Sequence, residues 1–100
     1  MLDNVNVAVL RKVNELAERY GLKPYHFVAT FKHGAKGWTL DFACPAFGNA
    51  VREERFDTML KAIGITPSND KGAIVKGDTA KIINALDNAL EHAPPSRRLF

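Results

Sequence analysis

An α+β fold in two layers, with the order α-β-β-α-β-α and helices on one face of a small, mostly antiparallel sheet of about three strands, is predicted by three features of this sequence. Two alternating runs between Tyr25 and Cys44 flank His33-Gly34-Ala35-Lys36-Gly37 and fall into one antiparallel register. Three other stretches repeat apolar residues at three- and four-residue steps. A short run, Ala73-Ile74-Val75-Lys76, is too brief for a helix and β-branched at its centre, which makes it a strand beside the hairpin.

The first amphipathic stripe is Leu2, Val5, Val9, Val13, Leu16 and Tyr20, with Arg11, Asn14, Glu15 and Glu18 off it. Gly21 is placed to cap this helix. Lys23-Pro24 predicts an extended entry into the first strand, because the residue before proline avoids helical backbone angles. With the turn centred on Ala35 and Lys36, Phe27 faces Cys44, Ala29 faces Phe42, Phe31 faces Leu40 and His33 faces Trp38, all on one side. His26, Val28, Thr30, Lys32, Thr39, Asp41 and Ala43 occupy the wetted side.

Cys44-Pro45 ends the second strand, and Gly48-Asn49 turns the chain into a helix with the face Phe56, Met59, Leu60 and Ile63, closed by Gly64. Residues 65 to 72 read as a loop fit to act as a lid or to contact a partner, with turn chemistry at Pro67 and Asn69-Asp70. Asp78 or Thr79 caps the last helix, whose apolar residues are Ile82, Ile83, Leu86, Ala89 and Leu90. Pro94-Pro95 stops it. The chain therefore reads as one domain over residues 1–93, followed by a disordered tail over 94–100 in which Leu99-Phe100 and Arg97-Arg98 could dock as a linear motif.

With 46% hydrophobic and 25% charged residues, 100 residues are enough for a self-standing core. No apolar run approaches the ~20 residues of a membrane span, and Met1-Leu2-Asp3-Asn4 opens without a basic leader, so the expectation is a cytoplasmic protein with no membrane partner. The single cysteine excludes an intramolecular disulfide and any multi-cysteine metal site. The net charge of +3 is unevenly spread. Residues 2–20 and 49–79 each balance to zero, and the excess sits in residues 21–48, where Lys23, Lys32 and Lys36 oppose Asp41, and in Arg97-Arg98. That is a mild field, short of the clustered stripe that phosphate-backbone binding requires.

No catalytic residues emerge. The spacing Gly72-Ala-Ile-Val-Lys-Gly77-Asp78-Thr79 approaches a phosphate-binding loop, but Asp78 stands where that motif needs its lysine. Cys44 lacks a base, since His26 is on the other side of the hairpin and His33 lies about 20 Å along its strand from the partner of Cys44. The three histidines have no metal-ligand spacing, so neither metal nor cofactor is expected. On the second helix Glu53, Glu54 and Asp57 interleave with Arg52, Arg55 and Lys61 as a solvated, charge-balanced face.

The candidate binding residues are Lys32, His33, Lys36 and Trp38, because a hairpin tip with cations, a glycine turn and a large aromatic can grip a partner. A helix ending in Tyr20-Gly21, then Pro24-Tyr25 and a strand-turn-strand with Gly and Lys in the turn, resembles the opening of double-stranded RNA-binding domains over residues 13 to 42. That family grips phosphate with a lysine-rich start to its second helix. Here Val51-Arg52-Glu53-Glu54-Arg55 stands in its place, and a third hairpin strand before that helix is missing, so membership is not assigned. The function expected is a small non-enzymatic interaction protein that binds a protein through the sheet face, hairpin tip or 65–72 loop, as a homodimer formed across a sheet edge. Nucleic-acid binding through Lys23, Lys32, Lys36 and Trp38 is the alternative. A third is an enzyme or small-ligand protein whose pocket is assembled from distant residues.

Overall fold

The computed structural model describes residues 2–35, 37–43, 49–65 and 71–95. It is an α+β structure with three helices and an antiparallel hairpin, in the order α1 (Leu2–Arg19), a 3-10 turn (Pro24–His26), β1 (Val28–Gly34), β2 (Gly37–Ala43), α2 (Ala50–Ile63), β3 (Lys71–Gly77) and α3 (Thr79–His92). The Cys44 pairing, most of the 65–72 loop and the end of the tail lie outside the described residues.

Of the predicted stripe, Val9, Val13 and Leu16 are buried on α1, and Ala17, which the stripe did not include, is buried with them. The helix stops because Gly21 takes a φ of +80°, a left-handed conformation open to glycine, and this lets the Leu22 amide donate back to the Ala17 carbonyl at 2.9 Å. A side chain at residue 21 would also meet the Arg55 guanidinium, 3.1 Å from the nearest atom.

Lys23 is extended, as expected ahead of proline, but the chain does not run straight into a strand. Pro24 starts a single 3-10 turn whose fixed φ suits a first helical position, so Tyr25 and His26 leave the hairpin and β1 begins only at Val28. The placement of His26 on the wetted strand face is thereby corrected. Its ring instead accepts the Lys23 amide hydrogen at Nδ1, at 3.0 Å.

From Val28 onward the register is the one that alternation dictates. Ala29 pairs with Phe42, Thr30 with Asp41, Phe31 with Leu40, Lys32 with Thr39 and His33 with Trp38. Gly37, at φ +103°, supplies the left-handed residue after the turn. Phe31, Leu40 and Phe42 are buried on one side, while Val28, Thr30 and Lys32 are exposed on the other. β3 runs antiparallel along the far side of β2, with Leu40 beside Ile74 and an irregularity in the pairing between Trp38 and Leu40.

α2 is bounded by its caps. The Asn49 side chain accepts the Arg52 amide hydrogen, and Gly64, at φ +101°, donates to the carbonyls of Leu60 and Lys61. Its buried face, Phe56, Met59, Leu60 and Ile63, is the predicted one. Phe56 lies 6.3 Å from Phe27 and 6.4 Å from Phe42 by ring centroids, which fastens the helix to the hairpin. Each such buried ring is worth about 1.5–3 kcal/mol in area removed from water. Asp78 caps α3 by accepting the Lys81 amide hydrogen, and Ile82, Leu86 and Ala89 complete the hydrophobic cluster of the described residues. α1 packs against α3 and β1, and α2 touches both other helices, so the end of α1, the 3-10 turn and the start of α2 meet at one corner.

Candidate functional site

The structure separates the residues of the hairpin tip. His33 and Trp38 share a face, their rings 5.0 Å apart, as cross-strand partners must. Trp38 is half-buried and lies flat on Phe31, with centroids 4.5 Å apart and an interplanar angle of 17°. Its larger surface is thus engaged within the fold. Lys32, one residue from His33, points to the opposite face by strand alternation, and its ammonium stands 3.7 Å from the Asp41 carboxylate. An exposed pair of this kind adds roughly 0–1 kcal/mol but cancels most of the local charge. Lys36 lies outside the described residues.

A second cluster forms at the corner where α1, the 3-10 turn and α2 meet. Gly21, His26, Asn49, Val51, Arg52 and Arg55 line a half-open cleft of about 240 Å³. The Arg55 guanidinium reaches across from α2 and donates through Nη1 to the Gly21 carbonyl at 3.2 Å, which holds the side chain over the glycine. Tyr25 packs edge-on against His26, centroids 4.7 Å apart, yet is 79% exposed, and Val51 is 58% exposed. An aromatic ring and an aliphatic side chain are therefore left in water beside two arginines. A wider groove shares Gly21 and Arg55 and continues along α1 past Glu18, Glu15 and Arg11, with Lys23 on its other wall.

The electrostatics follow from this convergence. Loss of hydration at the turn, followed by the positive charges of Arg52, Lys23 and Arg55, holds the His26 pKa below its ordinary value. Because Nδ1 accepts the Lys23 amide hydrogen, the neutral ring carries its proton on Nε2. One imidazole and two guanidiniums line the cleft, with no carboxylate, hydroxyl or thiol among its described lining residues.

Sequence reasoning passed over this corner for a definite reason. Arg52 and Arg55 look balanced by Glu53 and Glu54 when α2 is read along the chain, but the i,i+3 spacing puts the two arginines on one face and both line the cleft. The signal that was available is this shared face. Its meeting with Gly21 and His26, some 30 positions away, is tertiary. Among the described residues no group of histidine, cysteine and carboxylate side chains could hold a metal ion, and no helix is long and apolar enough to cross a membrane. Compared with protein-family models, curated proteins and solved structures, the chain matches none.

Proposed function

We propose that this protein is a small non-enzymatic interaction module that binds a protein partner, and that its contact surface is the corner formed by Tyr25, His26, Val51, Arg52 and Arg55. The observation that carries this reading is a cleft lined by exposed Val51 with Arg52, Arg55 and His26, against whose ring the exposed Tyr25 packs. Tyrosine and arginine are the residue types that dominate binding energy when a partner desolvates them. In this reading the α+β frame is a two-layer one, with β3 completing a three-stranded sheet and the helices on one face.

The corner is a better grip than the wetted sheet face or the sheet edge. The wetted sheet face presents Val28, Thr30, Lys32, Thr39, Asp41 and Ala43, which include no aromatic platform for bases. The edge strand β1 carries the outward Lys32, a charge of the kind that guards an edge against pairing with a second copy. Nucleic acid is the less favoured partner because the cations of the cleft and its adjoining groove, Arg11, Arg19, Lys23, Arg52 and Arg55, are interrupted by carboxylates. Glu15 and Glu18 lie in the adjoining groove, and a polyanion running on from the cleft would meet them.

Affinity capture from a native extract, with and without nuclease, tests the reading when the wild type is compared with Arg52→Glu and His33→Glu. Capture of a protein that resists nuclease, is lost in Arg52→Glu and persists in His33→Glu is the expected result. Capture that disappears with nuclease, or that His33→Glu alone abolishes, contradicts it.

A further inference from the structure

The cations of the corner line one half-open cleft and the groove that adjoins it. Arg52 and Arg55, one turn apart on α2, face His26 across the cleft, and Lys23 stands on the wall of the adjoining groove. After its loss of hydration, the His26 ring is held below its ordinary pKa by all three flexible cations, in keeping with their places on the cleft and groove walls. Glu18 shares the groove with Arg55 and Lys23, but the described lining of the cleft itself holds two guanidiniums and an imidazole with no carboxylate. Arg55 is also pre-positioned, because its bond to the Gly21 carbonyl and its packing over Gly21 limit its rotamers and reduce the ordering cost of a further hydrogen bond.

From this geometry we infer that the cleft between Gly21, His26, Arg52 and Arg55 is a binding site for a phosphate monoester. Guanidiniums hold such a dianion through paired, charge-assisted N–H donors, and a neutral or protonated imidazole adds another. The half-open form of the cleft, about 240 Å³, admits a phosphoryl group at the end of a side chain or small molecule. A phosphodiester chain running on along the groove would meet Glu15 and Glu18 interleaved with Arg11, Arg19 and Lys23, so the oligonucleotide arm of the test below discriminates against it. Tyr25, exposed beside His26, then packs against whatever carries the phosphate. The inference rests on the proposed contact surface and names the chemistry of its ligand: the phosphate belongs either to a phosphorylated side chain of the protein partner or to a free small phosphate.

Nuclear magnetic resonance on the full chain separates these outcomes, using inorganic phosphate, a short phosphoserine peptide, its unphosphorylated twin and a single-stranded oligonucleotide at constant ionic strength. Site binding predicts shifts at the amides of Gly21, Arg52 and Arg55 and an upward move of the His26 titration when phosphate or the phosphopeptide is added. The phosphopeptide should bind at least about tenfold more tightly than its twin, and Arg52→Gln should remove about tenfold of that affinity with the rest of the spectrum unchanged. Tighter binding of the phosphopeptide than of inorganic phosphate assigns the site to a phosphorylated partner, whereas equal affinities assign it to a free small phosphate. Shifts reproduced by chloride alone, an Arg52→Gln protein that binds as well as the wild type, or an oligonucleotide that outcompetes the monoester overturns the inference. Retention of nuclease-resistant capture in that case leaves the interaction surface standing without its phosphate pocket, so the two failures are distinguishable.

Discussion

The hairpin tip and the corner around His26 hold similar residues, an aromatic, a histidine and basic side chains, and the fold uses them in opposite ways. At the tip, Trp38 lies on Phe31 and Lys32 is turned to the other face beside Asp41. At the corner, Tyr25 stands in water while Arg52 and Arg55 arrive from a different helix. Proximity along the chain disperses the tip, because a strand sends consecutive side chains to opposite faces. Proximity in space gathers the corner. An aromatic that the core already contacts is a structural residue, and one held out beside convergent cations is available to a partner.

The largest effects should fall on the hairpin. Leu40→Asp places a charge in a fully buried site and is expected to cost about 3 kcal/mol or more in urea unfolding, while Thr39→Lys, next to it on the opposite face, stays within about 0.5 kcal/mol. Equal damage from the two would invert the face assignment on which the comparison stands.

The two aromatics sharpen it further. Trp38→Ala should lower stability by about 2 kcal/mol through lost packing on Phe31, whereas Tyr25→Ala should change it by less than about 0.5 kcal/mol. Thermal unfolding of both variants checks this, and a Tyr25→Ala protein as weakened as Trp38→Ala would make Tyr25 a structural residue too.

Gly21 links helix ending to cleft. Gly21→Ala is expected to cost about 1 kcal/mol, because alanine is strained at a φ of +80° and its Cβ presses on the Arg55 guanidinium. A variant as stable as the wild type would show that Arg55 is not held there.

The smallest effect is a pH dependence. With the His26 pKa below its ordinary value, the folded state binds fewer protons than the unfolded chain, so this contribution to stability is complete above the unfolded value near 6.5 and is lost as pH falls through the folded pKa. His26→Gln should flatten the stability profile in that window. An unchanged slope would show that neither loss of hydration nor the surrounding cations perturb His26.

Much of the frame was legible in the residues. The hairpin pairing from Ala29 to Trp38 follows from alternation and a two-residue connection, and the buried face of α2 follows from Phe56, Met59, Leu60 and Ile63. The 3-10 turn was not, because the signal at Lys23-Pro24 restricts Lys23 and leaves Tyr25 and His26 undetermined. The corner was legible only in halves. Arg52 and Arg55 share a helical face by spacing, but nothing local places Gly21 beneath Arg55 or His26 across from it, since those contacts depend on how Phe27, Phe42 and Phe56 pack.

The most direct measurement is site-specific photo-crosslinking to the captured partner, with the same photoreactive residue placed in turn at Tyr25, Thr30 and His33. Adducts should form strongly at position 25 and weakly or not at all at positions 30 and 33. Strong adducts at 33 or 30 with none at 25 would place the partner on the hairpin and contradict the assignment of the corner as the binding surface.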